Sequence, residues 1–363
     1  MKGQAVLIDF VLKEWLLVVS GAGLVLTSLA AGSIPAVSRQ EMQVLFILFA
    51  LFVTVNGLQH SGLIARLAQA IETGRAIPLK LVLATFFLSM LVTNDVALVV
   101  VVPLTLLLNV GRKDLLVILE ALAANAGSAL TPFGNPQNLF IYWFYGVPPL
   151  RFVETIAPFS LLFLPILLIP ALLLKTPVGA RAPGEAVTVS RKACIYLVLL
   201  VAVILAVLRV LPLPVGIAVI GYALVFDRRA LRVDYFLLCS FLFFFGLADN
   251  IKLLAESRMN HAGHIFLFSA LASQAISNVP ATLLFAKFTT DWQALLWGAS
   301  VGGFGSLFGS LANLIAYKLY ASHASSTRVG AFTLRFLVLG YLAFFVAIAL
   351  YFVLDGMGFR GLG

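Results

Sequence analysis

Two short stretches place a hydroxyl residue beside an asparagine inside otherwise apolar sequence. The first is Ser89-Met90-Leu91-Val92-Thr93-Asn94-Asp95-Val96-Ala97. The second repeats its pattern 184 positions later, with Ser273, Ser277, Asn278 and Ala281 answering to Ser89, Thr93, Asn94 and Ala97. Each is followed by a stretch rich in glycine and asparagine. Gly127, Thr131, Gly134 and Asn138 in the first answer to Gly302, Ser306, Gly309 and Asn313 in the second, at an offset of 175. Amides and hydroxyls supply donors that hold an anion and oxygens that ligate a cation such as Na+. The free N–H groups and partial positive charge at helix N-termini add to the anion side. Asp95 is the one ionisable residue in either tip. As an anion it disfavours a neighbouring substrate anion and favours Na+ or H+. Capping of the adjoining half-helices is the plain structural role open to the same Ser, Thr and Asn residues.

These residues sit in a chain of 363 residues that is 62% hydrophobic and 11% charged, where a soluble protein averages about 25% charged. The composition is that of an integral, polytopic membrane protein with the lipid bilayer as its solvent. The net charge of +9 is accounted for by basic loops, and nucleic acid is not an expected partner. Cys194 and Cys239 both fall in apolar runs, which argues against a disulfide framework or thiolate metal site. His60, His261, His264 and His323 have no metal-ligand spacing and no HExxH occurs. An enzyme is not expected, and no nucleotide-binding motif is present.

The runs on either side of the first tip, 79–92 and 96–110, are each shorter than the roughly 20 residues a spanning helix needs. They are expected to form a re-entrant hairpin with its tip buried in protein or lining a cavity. Residues 263–290 are expected to form a second one. Residues 115–145 and 292–321 read as helices broken by their Pro, Gly and Asn residues. Spans are expected at 14–33, 42–59, 152–174, 193–210, 212–226, 235–250 and 330–354, giving nine with the two broken helices. A helix lying at the interface is expected over 61–76, and a polar loop over 175–192. The first apolar segment is taken as a retained helix.

Counting crossings, with hairpins contributing none, separates the two repeats by an odd number, so they are expected to be inverted. Placing the N-terminus on one side gives that side 17 Lys/Arg and the other 7. The excess marks the N-terminal side as cytoplasmic and leaves the C-terminus outside, in a bacterial or archaeal cell membrane. Inverted repeats with discontinuous helices at the midplane are a plan of secondary transporters.

Two hydroxyl–Asn tips, each followed by a Gly/Asn-rich broken helix, resemble the ion transporter superfamily. That group includes divalent-anion/sodium symporters, citrate carriers, arsenite efflux permeases and a class of sodium/proton antiporters. Leu91 to Ala97 together with Leu130 to Asn138 look most like the arsenite-permease-like branch, and the resemblance covers about residues 40 to 350. It implies an all-α elevator-type transporter working as a homodimer. Its scaffold would be 14–59 and 193–250, and its transport domain 79–174 and 263–354. It implies binding of a small anion and of Na+ or H+ by Ser89, Thr93, Asn94, Asp95, Asn125, Thr131, Gly134, Asn135 and Asn138 in one half, and by Ser273, Ser277, Asn278, Ser306, Gly309, Ser310 and Asn313 in the other. Na+ would sit at Ser89, Asn94 and Gly134, and at Ser273, Asn278 and Gly309. The chain departs from the symporter pattern at Asp95, where those symporters have threonine, and at Val279.

Other polar residues have plainer readings. Glu120 lies two turns into the first broken helix and either faces the cavity or pairs with Arg112 or Lys113. Asp249 and Asn250 are expected at the solvated end of a span, and Lys287 is expected to snorkel to the interface. Gly302, Gly303, Gly305 and Gly309 serve either unwinding or close helix packing. The expected function is secondary active transport of a small inorganic or carboxylate anion coupled to H+ or Na+. Its rivals are a Na+/H+ antiporter using Asp95 and a passive anion channel.

Overall fold

The computed structural model describes residues 14–69, 76–108, 110–174, 187–255, 262–323 and 328–358. Among them are sixteen helices and no strand. The first three are α1 (Trp15–Ala31), α2 (Arg39–His60) and α3 (Leu63–Gln69). α1 ends on Gly32, whose φ of 65° breaks the helix. α2 opens on a capping box: the Ser38 hydroxyl accepts from the Glu41 amide and the Glu41 carboxylate accepts from the Ser38 amide.

The first hairpin follows as α4 (Ile77–Val92) and α5 (Asn94–Leu107), and the first broken helix as α6 (Lys113–Ser128) and α7 (Pro136–Phe144). α8 (Pro149–Leu173), α9 (Lys192–Val207), α10 (Val215–Phe226) and α11 (Tyr235–Ala255) come next. α12 (Ala262–Ile276) and α13 (Asn278–Ala286) form the second hairpin. α14 (Trp292–Gly302) and α15 (Leu311–Ser322) form the second broken helix, and α16 (Val329–Gly356) ends the fold.

α2, α8, α16 and Tyr235–Leu254 of α11 are long and apolar enough to cross a membrane. α10 is shorter than its expected span of 212–226. Its 12 residues reach roughly 18 Å against a hydrocarbon core of about 30 Å. The amides of Val215, Gly216 and Ile217 bond the carbonyls of Pro212, Leu213 and Pro214, three residues back, so residues 212–214 form a tight turn ahead of the helix. Of the expected interfacial helix only α3 is seen; Glu72 and Arg75 lie outside the described residues, as do Asn109, Lys175, Arg181 and His261.

Each hairpin packs on the broken helix that follows it: α4 and α5 on α6, α12 and α13 on α14. Glycine makes the close approach possible. A Cβ on Gly127 would overlap the Phe86 carbonyl and come within 2.7 Å of Ser89 Oγ, and one on Gly302 would overlap the Ser273 side chain. Ser89 and Ser273 are wholly buried there and donate to their own helices, to Phe86 O at 2.7 Å and Ser269 O at 2.6 Å. Gly302 thus serves both readings, closing a packing contact and ending α14. Elsewhere α1 packs on α11, and α9 and α10 on α2.

Side-chain bonds tie the bundle at two ends. At the His60 end, Asn56 donates to the carbonyls of Ala230 and Arg232, and Lys192 pairs with Asp227 at 3.4 Å. At the Arg39 end, Gln40 donates to the carbonyls of Trp143 and Phe144, and Arg209 to that of Tyr142. Here the expectations for Lys287, Asp249 and Asn250 need correction. Lys287 does not reach out to an interface: it pairs with Glu41 at 2.5 Å and Asp249 at 2.9 Å, joining the end of the second hairpin to α2 and α11. Asn250 is buried and donates to Thr27 and Ser28 of α1. The two carboxylates that draw Lys287 inward are far away in sequence, so no local pattern announces them.

The Glu41 side chain is fully buried. Removing its ammonium partner leaves an uncompensated charge, which costs about 3–5 kcal/mol. Lys287→Met is therefore expected to lower the unfolding temperature of the purified protein in detergent, and adding Glu41→Gln to recover part of the loss. Equal melting of Lys287→Met and the parent would show that the pair contributes nothing to stability.

Candidate functional site

The two hairpin tips are built alike. Thr93 has φ 86° and ψ 152°, and Ser277 has φ 72° and ψ 153°. A residue with a side chain held at such a φ costs on the order of 1–3 kcal/mol. Its persistence at both tips means that the surroundings impose it. They do so with matching bonds. The Asn94 amide donates to Gly134 O at 3.3 Å and the Asn278 amide to Gly309 O at 3.0 Å. Thr131 Oγ1 donates to Met90 O at 2.8 Å and Ser306 Oγ to Gln274 O at 2.7 Å.

The loop of each broken helix is wound around one asparagine. Asn138 Nδ2 donates to the carbonyls of Ser128, Ala129 and Thr131, and Asn313 Nδ2 to those of Gly303 and Ser306. Carbonyls that helix breakage frees are thereby satisfied inside the protein, as burial in a membrane requires. Gly134 and Gly309 sit in the same loops with backbone carbonyls pressed against the position of a Cβ. Thr131, Asn138, Ser306 and Asn313 thus build the loops that hold the tips.

The tips and loops meet around a cavity of about 20 Å³, room for roughly one water-sized group. Four helices begin at its wall. Asn94 and Asp95 open α5, Asn135 and Pro136 open α7, Ser277 and Asn278 open α13, and Ser310 and Leu311 open α15. Each end presents free N–H groups and about half a positive charge. Among the described residues, no Lys, Arg or His lines the space. The asparagines cross-link the two halves. Asn94 Nδ2 donates to Asn125 Oδ1 at 3.2 Å and lies 3.4 Å from Ser310 Oγ, and Asn125 Nδ2 donates to Asn313 Oδ1 at 2.9 Å. Two buried oxygens in lining residues, Asp95 Oδ1 and Asn135 Oδ1, accept no hydrogen bond. The cavity therefore offers donors to an anion and unspent acceptors to a proton, an alkali cation or a solute hydroxyl.

Asp95 also faces a second cavity of about 240 Å³, which Thr93, Asn56, Gln59 and the exposed Arg232 and Asp234 line as well. Asp95 thus stands between the tip cavity and a wider space leading to the His60 end.

The structure brings Asn94, Asp95, Asn135, Ser277, Asn278 and Ser310 to the tip cavity, with Asn125 and Asn313 bonded just behind. Ser89 and Ser273 are turned into the hairpin–helix contact instead. The carbonyls of Gly134 and Gly309 are engaged by the Asn94 and Asn278 amides, so of each expected sodium set only the asparagine lines the cavity. Capping by side chain occurs at Ser310, which accepts from the Ala312 amide, and at neither Thr93 nor Ser277. Glu120 pairs with neither Arg112 nor Lys113. Its Oε1 accepts from Thr105 at 2.5 Å, while Arg112 and Arg335 both bond Asp114. No group of His, Cys, Asp and Glu suited to a metal occurs among the described residues.

Two residues of the site carried no signal at the level of spacing. Gln137 lines the tip cavity. Gln274 donates to Gly302 O and accepts from the Ser306 amide, stitching the second tip to its loop. Gln274 occupies the position that answers to Met90, so a polar residue at one repeat position alone was the available clue.

Residues 6–302 match the family model CitMHS, described as a citrate transporter. An uncharacterized transporter of Methanocaldococcus jannaschii is 33% identical over 319 residues, covering 83% of this chain and 85% of that protein. The inner membrane protein YbiR of Escherichia coli K12 is 34% identical over 304 residues, 75% of this chain and 78% of that one. A silicon efflux transporter of Oryza sativa subsp. japonica is 32% identical over 126 residues, 32% of this chain and 26% of that one. The chain is an integral membrane protein that belongs to the citrate transporter family within the ion transporter superfamily.

Proposed function

We propose that the chain is a secondary active transporter that moves a small inorganic or carboxylate anion, coupled to H+ or Na+, by an elevator motion. Segments 79–174 and 263–354 would move against 14–59 and 193–250 within a homodimer, and the two repeats would be inverted. The observation that carries this reading is the meeting of four helix N-termini at one small cavity without a basic side chain. An anion placed there gains about 0.3–1 kcal/mol from each helix end, and up to about 2 where the geometry is partly buried. The family's description supports a carboxylate, and the name of the rice relative supports an inorganic solute.

The bare oxygens of Asp95 and Asn135 support a coupling cation beside the anion. At about 20 Å³ the tip cavity is too small for a carboxylate substrate, so loading needs the halves to part. The cavity on the Asp95 side supplies the route, from the end that the basic loops assign to the cytoplasm. Asp95 also favours one second reading, exchange of Na+ for H+ with no anion moving.

The test is flux into proteoliposomes offered citrate, succinate, sulfate, phosphate or arsenite under imposed Na+ or pH gradients, with internal pH recorded. Saturable uptake of one anion above equilibrium is expected. A Na+-triggered pH change with no anion moving would turn the assignment to the antiporter. Asn278→Ala removes an amide at the cavity wall, and Asn94→Ala removes the cross-link from the first tip to Asn125 and Ser310; hydrogen bonds within such a wall or to a charged solute are worth about 1–3 kcal/mol. Each should cut uptake by roughly tenfold or more while the protein elutes normally from size exclusion. Normal flux in both variants would remove the tips from the mechanism. Asp95→Asn should abolish stimulation by the driving gradient and keep downhill exchange; unchanged dependence on both gradients would reduce Asp95 to a structural residue.

A further inference from the structure

The first transport half holds a second buried carboxyl group that the tip site does not use. Glu120 is wholly buried in α6, and its helix neighbours from Leu116 to Ala121 are buried with it. Its Oε1 accepts from Thr105 Oγ1 of α5 at 2.5 Å, and its Oε2 has no hydrogen-bond partner. α6 packs against α4, α5, α8, α15 and α16. Lys80, Asp95, Lys318, Arg335 and Asp355 are carried on these elements, and Lys113 and Asp114 on α6 itself. None forms an ion pair with Glu120. Asp114 is taken by Arg112 and Arg335, Lys113 bonds the Leu106 carbonyl, and the charges of α8, Arg151 and Glu154, pair with each other.

An ionised carboxylate held by one hydroxyl in such surroundings is penalised by the loss of its hydration. A neutral acid can place its proton on Oε1 and donate to the Thr105 hydroxyl, which accepts as readily as it donates, leaving Oε2 a bare carbonyl oxygen. One short bond thus serves the charged and the neutral form alike, so neither state is locked in. The arrangement suits a group whose charge state changes in use. The Glu120–Thr105 bond also joins the helix that begins at Asn94 and Asp95 to the helix that carries Asn125. Asn125 Nδ2 bonds the carbonyl of Ala121, the residue after Glu120, and its Oδ1 accepts from Asn94.

We propose that Glu120 is a proton-binding site distinct from Asp95, which gains and loses a proton during the transport cycle and acts on the tip through the α5–α6 contact. This rests on the transporter reading, and the test separates the two. Infrared spectra of the purified protein across a pH series should show a protonated-carboxyl band that is missing from Glu120→Gln. In proteoliposomes Glu120→Gln should lose the pH dependence of uptake while Na+- or concentration-driven flux persists. Thr105→Val removes the one hydrogen bond to the carboxyl, so its pH midpoint should differ from the parent's; this variant decides the matter if Glu120→Gln does not fold. Identical infrared titrations of Glu120→Gln and the parent would overturn the proposal. So would wild-type pH profiles in both variants, which would leave Glu120 a structural acid. If the parent moves no solute, the transporter reading fails, and the infrared titration still reports on Glu120.

Discussion

Four helix N-termini directed into one small space are the constraint around which the rest of this protein is arranged. Each brings N–H groups that its own helix cannot satisfy, and in a bilayer no water is at hand to do so. The sequence around each end reduces the problem. Pro136 at the first position of α7 and Pro280 in the first turn of α13 remove an N–H outright. Ser310 accepts from the Ala312 amide, and the Asn94 and Asn278 amides are given to the carbonyls of Gly134 and Gly309. What remains is a positive potential made without lysine or arginine. An anion proposed to rest there would be held by partial charges, with the Asp95 carboxyl as the one ionisable group in the described lining.

Keeping short helices aimed at a common point requires that their loops not relax. Asn138 and Asn313 gather the carbonyls freed where the two long helices break, and Thr131 and Ser306 tie those loops to the hairpins. The strained backbone at Thr93 and Ser277 is held from both sides by these bonds. The ends of the bundle then differ. At the Arg39 end Lys287, Gln40 and Arg209 bind the second hairpin and α7 to neighbouring helices. At the His60 end a cavity of about 240 Å³ reaches Asp95. The Arg39 end has a cavity as well, about 300 Å³ and lined by Phe144, Tyr145, Lys287 and Thr289, but Asp95 is not in its lining.

Much of this was legible in the residues. The hairpins, their breaks near Thr93 and Ser277, and the unwinding near Gly134 and Gly309 follow from run length, proline and glycine, because a membrane leaves few options for short apolar runs. Asn94, Ser277 and Asn278 were selected by spacing, Asp95 by its charge, and Asn135 and Ser310 by the family resemblance, and all six line the cavity. Spacing could not show which way a side chain turns. Ser89 and Ser273 look like ligands, but a helical serine readily bonds the carbonyl one turn back, and both do. Distant partners were equally hidden: Lys287 reads as an interfacial lysine until Glu41 and Asp249 are brought beside it by the fold. Gln137 and Gln274 escaped because a single glutamine has no repeat to mark it.

The central claim concerns where a charged solute rests, so its most direct test is a structure determined with the transported anion bound. The account predicts density for the anion between the openings of α5, α7, α13 and α15, in contact with Asn94, Asn278 and the backbone N–H groups of the half-helices, with the tip cavity widened around it. An anion bound only elsewhere, such as beside Arg232 at the cavity rim, would contradict it. The four helix ends would then be a structural arrangement and not the substrate site.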